Sequence, residues 1–139
     1  METETKEEPI ELILNGDIFD FDSVMSLPEN ASYHIKAYEK RLGLNAMEEK
    51  SVFKIETILL HHDVWTKALS DFIKKGHQVV FIIGNHDIEL NWVSVQEMVI
   101  KKLQLPPEFI NNVRFCEWFY ISEGDTLIEH GHQYDPYCM

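Results

Sequence analysis

The stretch Gln78–Ile83, QVVFII, limits the folds open to this chain more than any other. It is β-branched and aromatic, and apolar along most of its length. That is the pattern of a strand buried on both faces. It ends in Gly84-Asn85-His86-Asp87, a polar turn. A second apolar run, Ile10–Leu14 (IELIL), is broken only by Glu11 and ends at Asn15-Gly16-Asp17. It too reads as a strand running into a glycine-containing turn.

The intervening residues alternate with these strands as helices. Ser23–Asn30 contains Pro28 and polar residues and reads as a loop. Ala31–Leu44 is polar with scattered apolar positions, and Gly43 suits a helix C-terminus there. From Ser51 to Lys75 apolar residues recur at helical spacing: Val52, Ile55, Ile58, Leu59, Val64, Leu69, Phe72 and Ile73. This predicts one long amphipathic helix, or two, stopped by Gly76. A further helix is predicted over Val93–Leu103, with Pro106-Pro107 as its stop. Val113–Ile121 and Thr126–Glu129 read as strands joined by a turn at Ser122–Asp125, and the second ends in His130-Gly131-His132. Strands alternating with helices predict an α/β fold with functional groups at the carboxyl ends of the strands. With 139 residues, one domain over 10–139 follows an acidic N-terminal segment, 1–9.

Three strand ends therefore carry the chemistry. Gly16-Asp17-Ile18-Phe19-Asp20 supplies two carboxylates, the Asn85 turn an amide, an imidazole and a carboxylate, and Glu129-His130-Gly131-His132 two imidazoles. These are the oxygen and nitrogen donors that divalent transition metals take. Each motif alone is weak. GNHD after an apolar strand is more specific, and all three in order form a strong set.

The order GDxxD, GNHD and HGH resembles the calcineurin-like metallophosphoesterase superfamily from about Ile10 to the end of the chain. The resemblance implies a metallophosphatase fold, two mixed β-sheets sandwiched between helices. It implies two divalent ions (Mn, Fe or Zn) and hydrolysis of a phosphate mono- or diester, or a pyrophosphate, by a metal-bridging hydroxide. Asp17 maps to the bridging carboxylate, and Asn85 and His130 to ligands of the second ion. His86 maps to the catalytic imidazole near the leaving-group oxygen, with Asp20 as its carboxylate partner. Asp87 is expected to orient the ligands, and His132 to touch substrate or support His130. The implied substrate is a phosphorylated small molecule or nucleotide-like compound. Phe21-Asp22 and Asp87 stand where the family's protein phosphatases carry Arg-Gly and Glu, which disfavours a phosphoprotein substrate.

Two of the family's five blocks have no counterpart here. Nothing before Asp17 matches the opening Asp-x-His, and no Gly-His-x-His follows His130. The chain thus reads as an interior piece that binds metal poorly by itself. A non-catalytic scaffold is the alternative, opposed by the presence of Asp17, Asn85, His86 and His130.

The net charge of −12 argues against a nucleic-acid surface, which needs a basic patch. It does not exclude a phosphorylated substrate, because bound cations reverse the local sign. No apolar run is long enough to span a bilayer. Met1–Pro9 lacks the basic start and apolar stretch of a secretory signal, so a cytoplasmic protein with free Cys116 and Cys138 is expected. Cys116 reads as core filler. His34, His77 and the His61-His62-Asp63 run read as surface residues, and Trp118 as core. Trp92 divides evenly between core and pocket, and Tyr134, Asp135 and Tyr137 read first as a polar loop.

Overall fold

The computed structural model describes residues 8–138, so residues 1–7 of the acidic N-terminal segment lie outside it, as does residue 139. The architecture is mixed α/β. Strands β1 (Glu11–Asn15), β2 (Gln78–Ile82) and β3 (Val113–Cys116) form a parallel sheet in the order β1-β2-β3. Strands β4 (Phe119–Ser122) and β5 (Thr126–Glu129) form an antiparallel hairpin. Four helices, α1 (Glu39–Leu42), α2 (Glu48–His61), α3 (Asp63–Lys74) and α4 (Val93–Leu103), occupy the crossovers. Neither sheet is mixed, in contrast to the expected pair of mixed sheets.

QVVFII is the central strand, as its composition requires. Leu14 pairs with Phe81 and Phe81 with Phe115. Val79, Phe81 and Ile83 join one cluster with Ile55 and Leu59 of α2, Leu69 and Ile73 of α3, and Val95, Val99 and Leu103 of α4. Alternation along the strand turns Val80 and Ile82, also fully buried, to the opposite face. The hairpin lies over that face. Glu11 accepts hydrogen bonds from Tyr120 (2.5 Å) and Ser122 (2.8 Å), and Arg114 donates to the Tyr120 hydroxyl (3.3 Å). The single Glu in IELIL is therefore the clamp that fixes β4 to β1. The outer face of the hairpin presents Phe119, Ile121 and Leu127, each about half exposed or more, and no helix covers it among the described residues.

Several local expectations change in the structure. The 51–75 pattern is two helices that break at His62 (φ −114°, ψ 43°), so His61-His62-Asp63 straddles the junction. The break resets the helical phase. The inward positions of α3 are Thr66, Leu69, Ser70 and Ile73, while Val64 is 78% exposed. Val113–Ile121 is not one strand: the chain leaves the parallel sheet after Cys116 and restarts in the hairpin at Phe119. Trp118 lies at that break and is 53% exposed, so it is not a core residue. His77 is buried rather than exposed. Its Nδ1 accepts the Ile10 N–H at 3.1 Å and its ring packs on Phe72. Cys116 is half-buried and Cys138 exposed, both as free thiols, and burial pushes the Cys116 thiol up. No helix of the described residues is long and apolar enough to cross a membrane.

The long connection before α2 carries only one helical turn, ended by Gly43 at φ 86°. An ion pair holds it. Glu39 is fully buried and meets Lys50 at 2.7 Å, and it also accepts the N–H groups of Lys36 and Asn45. The Lys50 hydrogen bond, then the two N–H groups, hold the Glu39 carboxyl down to about 2 from an ordinary 4.5. A carboxylate with a depressed folded-state pKa contributes stability above its unfolded pKa and loses it as pH falls toward the folded one. The melting temperature is therefore expected to drop as pH is lowered from about 4.5 toward 2. In Glu39→Gln the neutral-pH value should be lower and its slope through that window shallower, as read by circular dichroism. An unchanged slope would remove Glu39 from the acid transition.

Candidate metal centre

The β1 and β2 ends lie side by side because their strands pair in parallel. β1 runs into Gly16 (φ 76°) and Asp17 (φ 52°), two consecutive left-handed residues. Asp tolerates this region better than most side chains, and glycine adopts it freely. The bend presents the Asp17 carboxylate to the β2 turn, where Oδ1 accepts the His86 backbone N–H at 3.0 Å.

Asp87 joins the two turns from below. It is fully buried, and Oδ1 accepts the Gly84 N–H at 2.6 Å. Its Oδ2 accepts the Ile18 N–H at 2.7 Å and the Phe19 N–H at 3.4 Å. A buried carboxylate is tolerated only with such partners. Asp87 thus ties the loop after β1 to the turn after β2. Glu89, two residues on, is also buried; burial pushes its carboxyl up, against its own backbone N–H and the buried Lys54.

The third strand end arrives with the hairpin. Asn15, the last residue of β1, donates its side-chain amide to the Glu129 carbonyl at 3.1 Å. His130 Nδ1 lies 2.9 Å from the Asn15 carbonyl oxygen. A carbonyl only accepts, so Nδ1 carries the proton. The other ring nitrogen, Nε2, then faces Asp17 Oδ2 at 3.3 Å and Asn85 Oδ1 at 3.3 Å.

Either Nε2 carries a second proton and forms an ion pair with Asp17, or it offers a lone pair. In the second state a carboxylate, an amide oxygen and an imidazole nitrogen converge on one position. That arrangement is satisfied by a cation. A ligating histidine characteristically gives its other N–H to a carbonyl or carboxylate, as His130 does. The glycines fit the same geometry. A Cβ on Gly16 would collide with the His130 ring, and one on Gly84 with the Asp17 carboxylate and backbone nitrogen. Among the described residues no cluster of three or more His, Cys, Asp or Glu forms a metal-holding group. The donor set here is one of each type, with the amide of Asn85 as its third member.

Of the residues singled out in the sequence, Asp17, Asn85 and His130 meet directly. His86 is exposed and tied to Asp17 only through its backbone. Asp20 caps a short 3-10 turn at Phe21–Ser23, accepting the Ser23 N–H at 3.2 Å, and makes no hydrogen bond to His86 among the described residues. His132 stacks on Trp118 (centroids 6.0 Å apart) and lies 5.4 Å from the His130 ring, with its buried Nδ1 unpartnered. Trp92 donates to the Ala46 carbonyl and lines a separate shallow cavity. Tyr134 reaches Glu129 and Tyr137 is 96% exposed, in keeping with a polar loop. Asn15 and Glu11 escaped sequence reading. Asn15 sits at the strand end before GD, but the contact it makes is 115 positions away.

No protein-family model, curated protein or solved structure matches this chain.

Gly84→Ala tests the cradle, since this glycine is required by close approach and not by a positive φ. Displacing Asp17 is expected to weaken Mn2+ affinity about 10–100-fold in calorimetric titration, with the fold retained. Affinity unchanged in a folded variant would contradict the close approach.

Proposed function

We propose that this protein is a metal-dependent phosphoesterase of the calcineurin-like type, with a metallophosphatase fold, acting on a phosphorylated small molecule or nucleotide-like substrate in the cytoplasm. The observation that carries the reading is the convergence of Asp17, Asn85 and His130 at the ends of three strands, with His130 held through Nδ1 by the Asn15 carbonyl. The donor set suits Mn, Fe or Zn. In the two-ion arrangement that the motifs resemble, Asp17, Asn85 and His130 would hold one of the ions.

Divalent ions held at these residues would activate water for attack and offset the charge of the phosphate. The chain's own residues do the rest. Asp17 accepts the His86 N–H, which sets the backbone of His86 beside the cradle while its ring stays free. The ring is assigned as the proton donor for the departing oxygen, a role that needs hydrogen-bond reach.

The test is Mn2+ affinity together with hydrolysis of an aryl phosphodiester by the protein at saturating Mn2+. Asp17→Asn and His130→Ala are expected to lose both metal and turnover. His86→Ala should keep the metal and lose about 10²–10⁴-fold in kcat. Metal retained by Asp17→Asn and His130→Ala would overturn the ligand assignment. Metal bound with no turnover on any phosphoester would favour the non-catalytic scaffold.

A further inference from the structure

One groove lies along the loop that follows Asp17. It is a cavity of about 350 Å³ between the loop after β1 and the α2–α3 junction. Ile18, Phe19 and Ile58 form its apolar wall, Trp65 one side, and Asp20 and His62 its polar rim. Its volume lies within the range of small-molecule sites.

Three features decide what fits there. Trp65 is held edge-to-face on the buried Phe19 (centroids 5.7 Å apart, 87°), and its indole is 36% exposed. A fixed, partly open indole beside aliphatic side chains suits a flat aromatic group, which gains from both area burial and ring contact. The groove is continuous with the cradle in the chain: Ile18 directly follows Asp17, and its N–H is pinned by Asp87. Finally, the carboxylate among its lining residues is Asp20, which repels a phosphate, so the groove favours an uncharged part of a ligand.

We infer that the groove at Trp65 and Phe19 binds the uncharged aromatic portion of a phosphoester whose phosphate lies at the Asp17–Asn85–His130 cradle. The inference rests on the phosphoesterase reading and names its substrate class, an aryl or base-bearing phosphoester in place of an aliphatic one. The break at His62 then has a purpose, since it is the turn that carries Trp65 to the side of the Asp17 loop.

Two non-hydrolysable probes test it, phenylphosphonate and methylphosphonate, titrated into the Zn2+-loaded protein. The indole N–H resonance of Trp65, identified with Trp65→Phe, is followed by NMR. Phenylphosphonate is expected to shift this resonance and to bind roughly tenfold tighter than methylphosphonate. Trp65→Ala should abolish that preference with zinc affinity unchanged, and Trp65→Phe should retain most of it. Equal affinity for the two probes in the native protein, or a preference that survives in Trp65→Ala, overturns the inference. Benzyl alcohol with EDTA present separates the two claims. A Trp65 shift there in a protein that fails to bind zinc leaves the groove standing while the phosphoesterase reading falls. No Trp65 shift with either aromatic probe overturns the groove whatever zinc does.

Discussion

The buried carboxylate of Asp87 is the contact on which the rest of the centre depends. It takes N–H groups from Gly84 on its own turn and from Ile18 and Phe19 on the turn after β1. A parallel sheet brings strand ends to the same edge but does not fix the loops beyond them. Asp87 does that for the first two loops by satisfying backbone donors that would otherwise be buried without partners. Once they are joined, Asp17 can reach the His86 N–H, and Gly84 must stay without a side chain. The outcome is a rigid corner made from residues 69 positions apart.

The hairpin completes that corner. It is fixed to β1 at two levels, by Glu11 near the start of the strand and by Asn15 at its end. Both side chains point to the face away from the helices, so one strand organises both layers. His130 is thereby held at its Nδ1 while Nε2 is aimed at Asp17 and Asn85. A chain of net charge −12 gathers acceptors at this point. A cation bound there would lower the local repulsion.

Much of this was legible in the sequence, for identifiable reasons. QVVFII could be read as a strand buried on both faces because a run apolar at every second and intervening position has no exposed face to offer. The three strand-end motifs were recognisable because their donors are polar residues set directly after apolar runs. The helix over Val93–Leu103 matched its periodicity to the residue. What escaped reading depends on tertiary placement. His77 is polar, yet it is buried because the Ile10 N–H needs an acceptor. Val113–Ile121 has the composition of one strand, but its halves pair with different partners. The choice between one helix and two over 51–75 stayed open because both helices keep apolar spacing and only the phase changes at the break. Asn15 is an ordinary polar strand end until the hairpin returns over it.

The central claim is that His130 carries its proton on Nδ1 and presents Nε2 to a cation shared with Asp17 and Asn85. The direct measurement is the ¹⁵N NMR spectrum of the His130 ring with and without Zn2+. The account predicts a protonated Nδ1 in both states and an Nε2 resonance that moves on addition of zinc and is unaffected in Asp17→Asn. A ring protonated at Nε2, with neither nitrogen responding to zinc, would mean that His130 is only an ion-pair partner of Asp17 and that no metal centre exists at this corner.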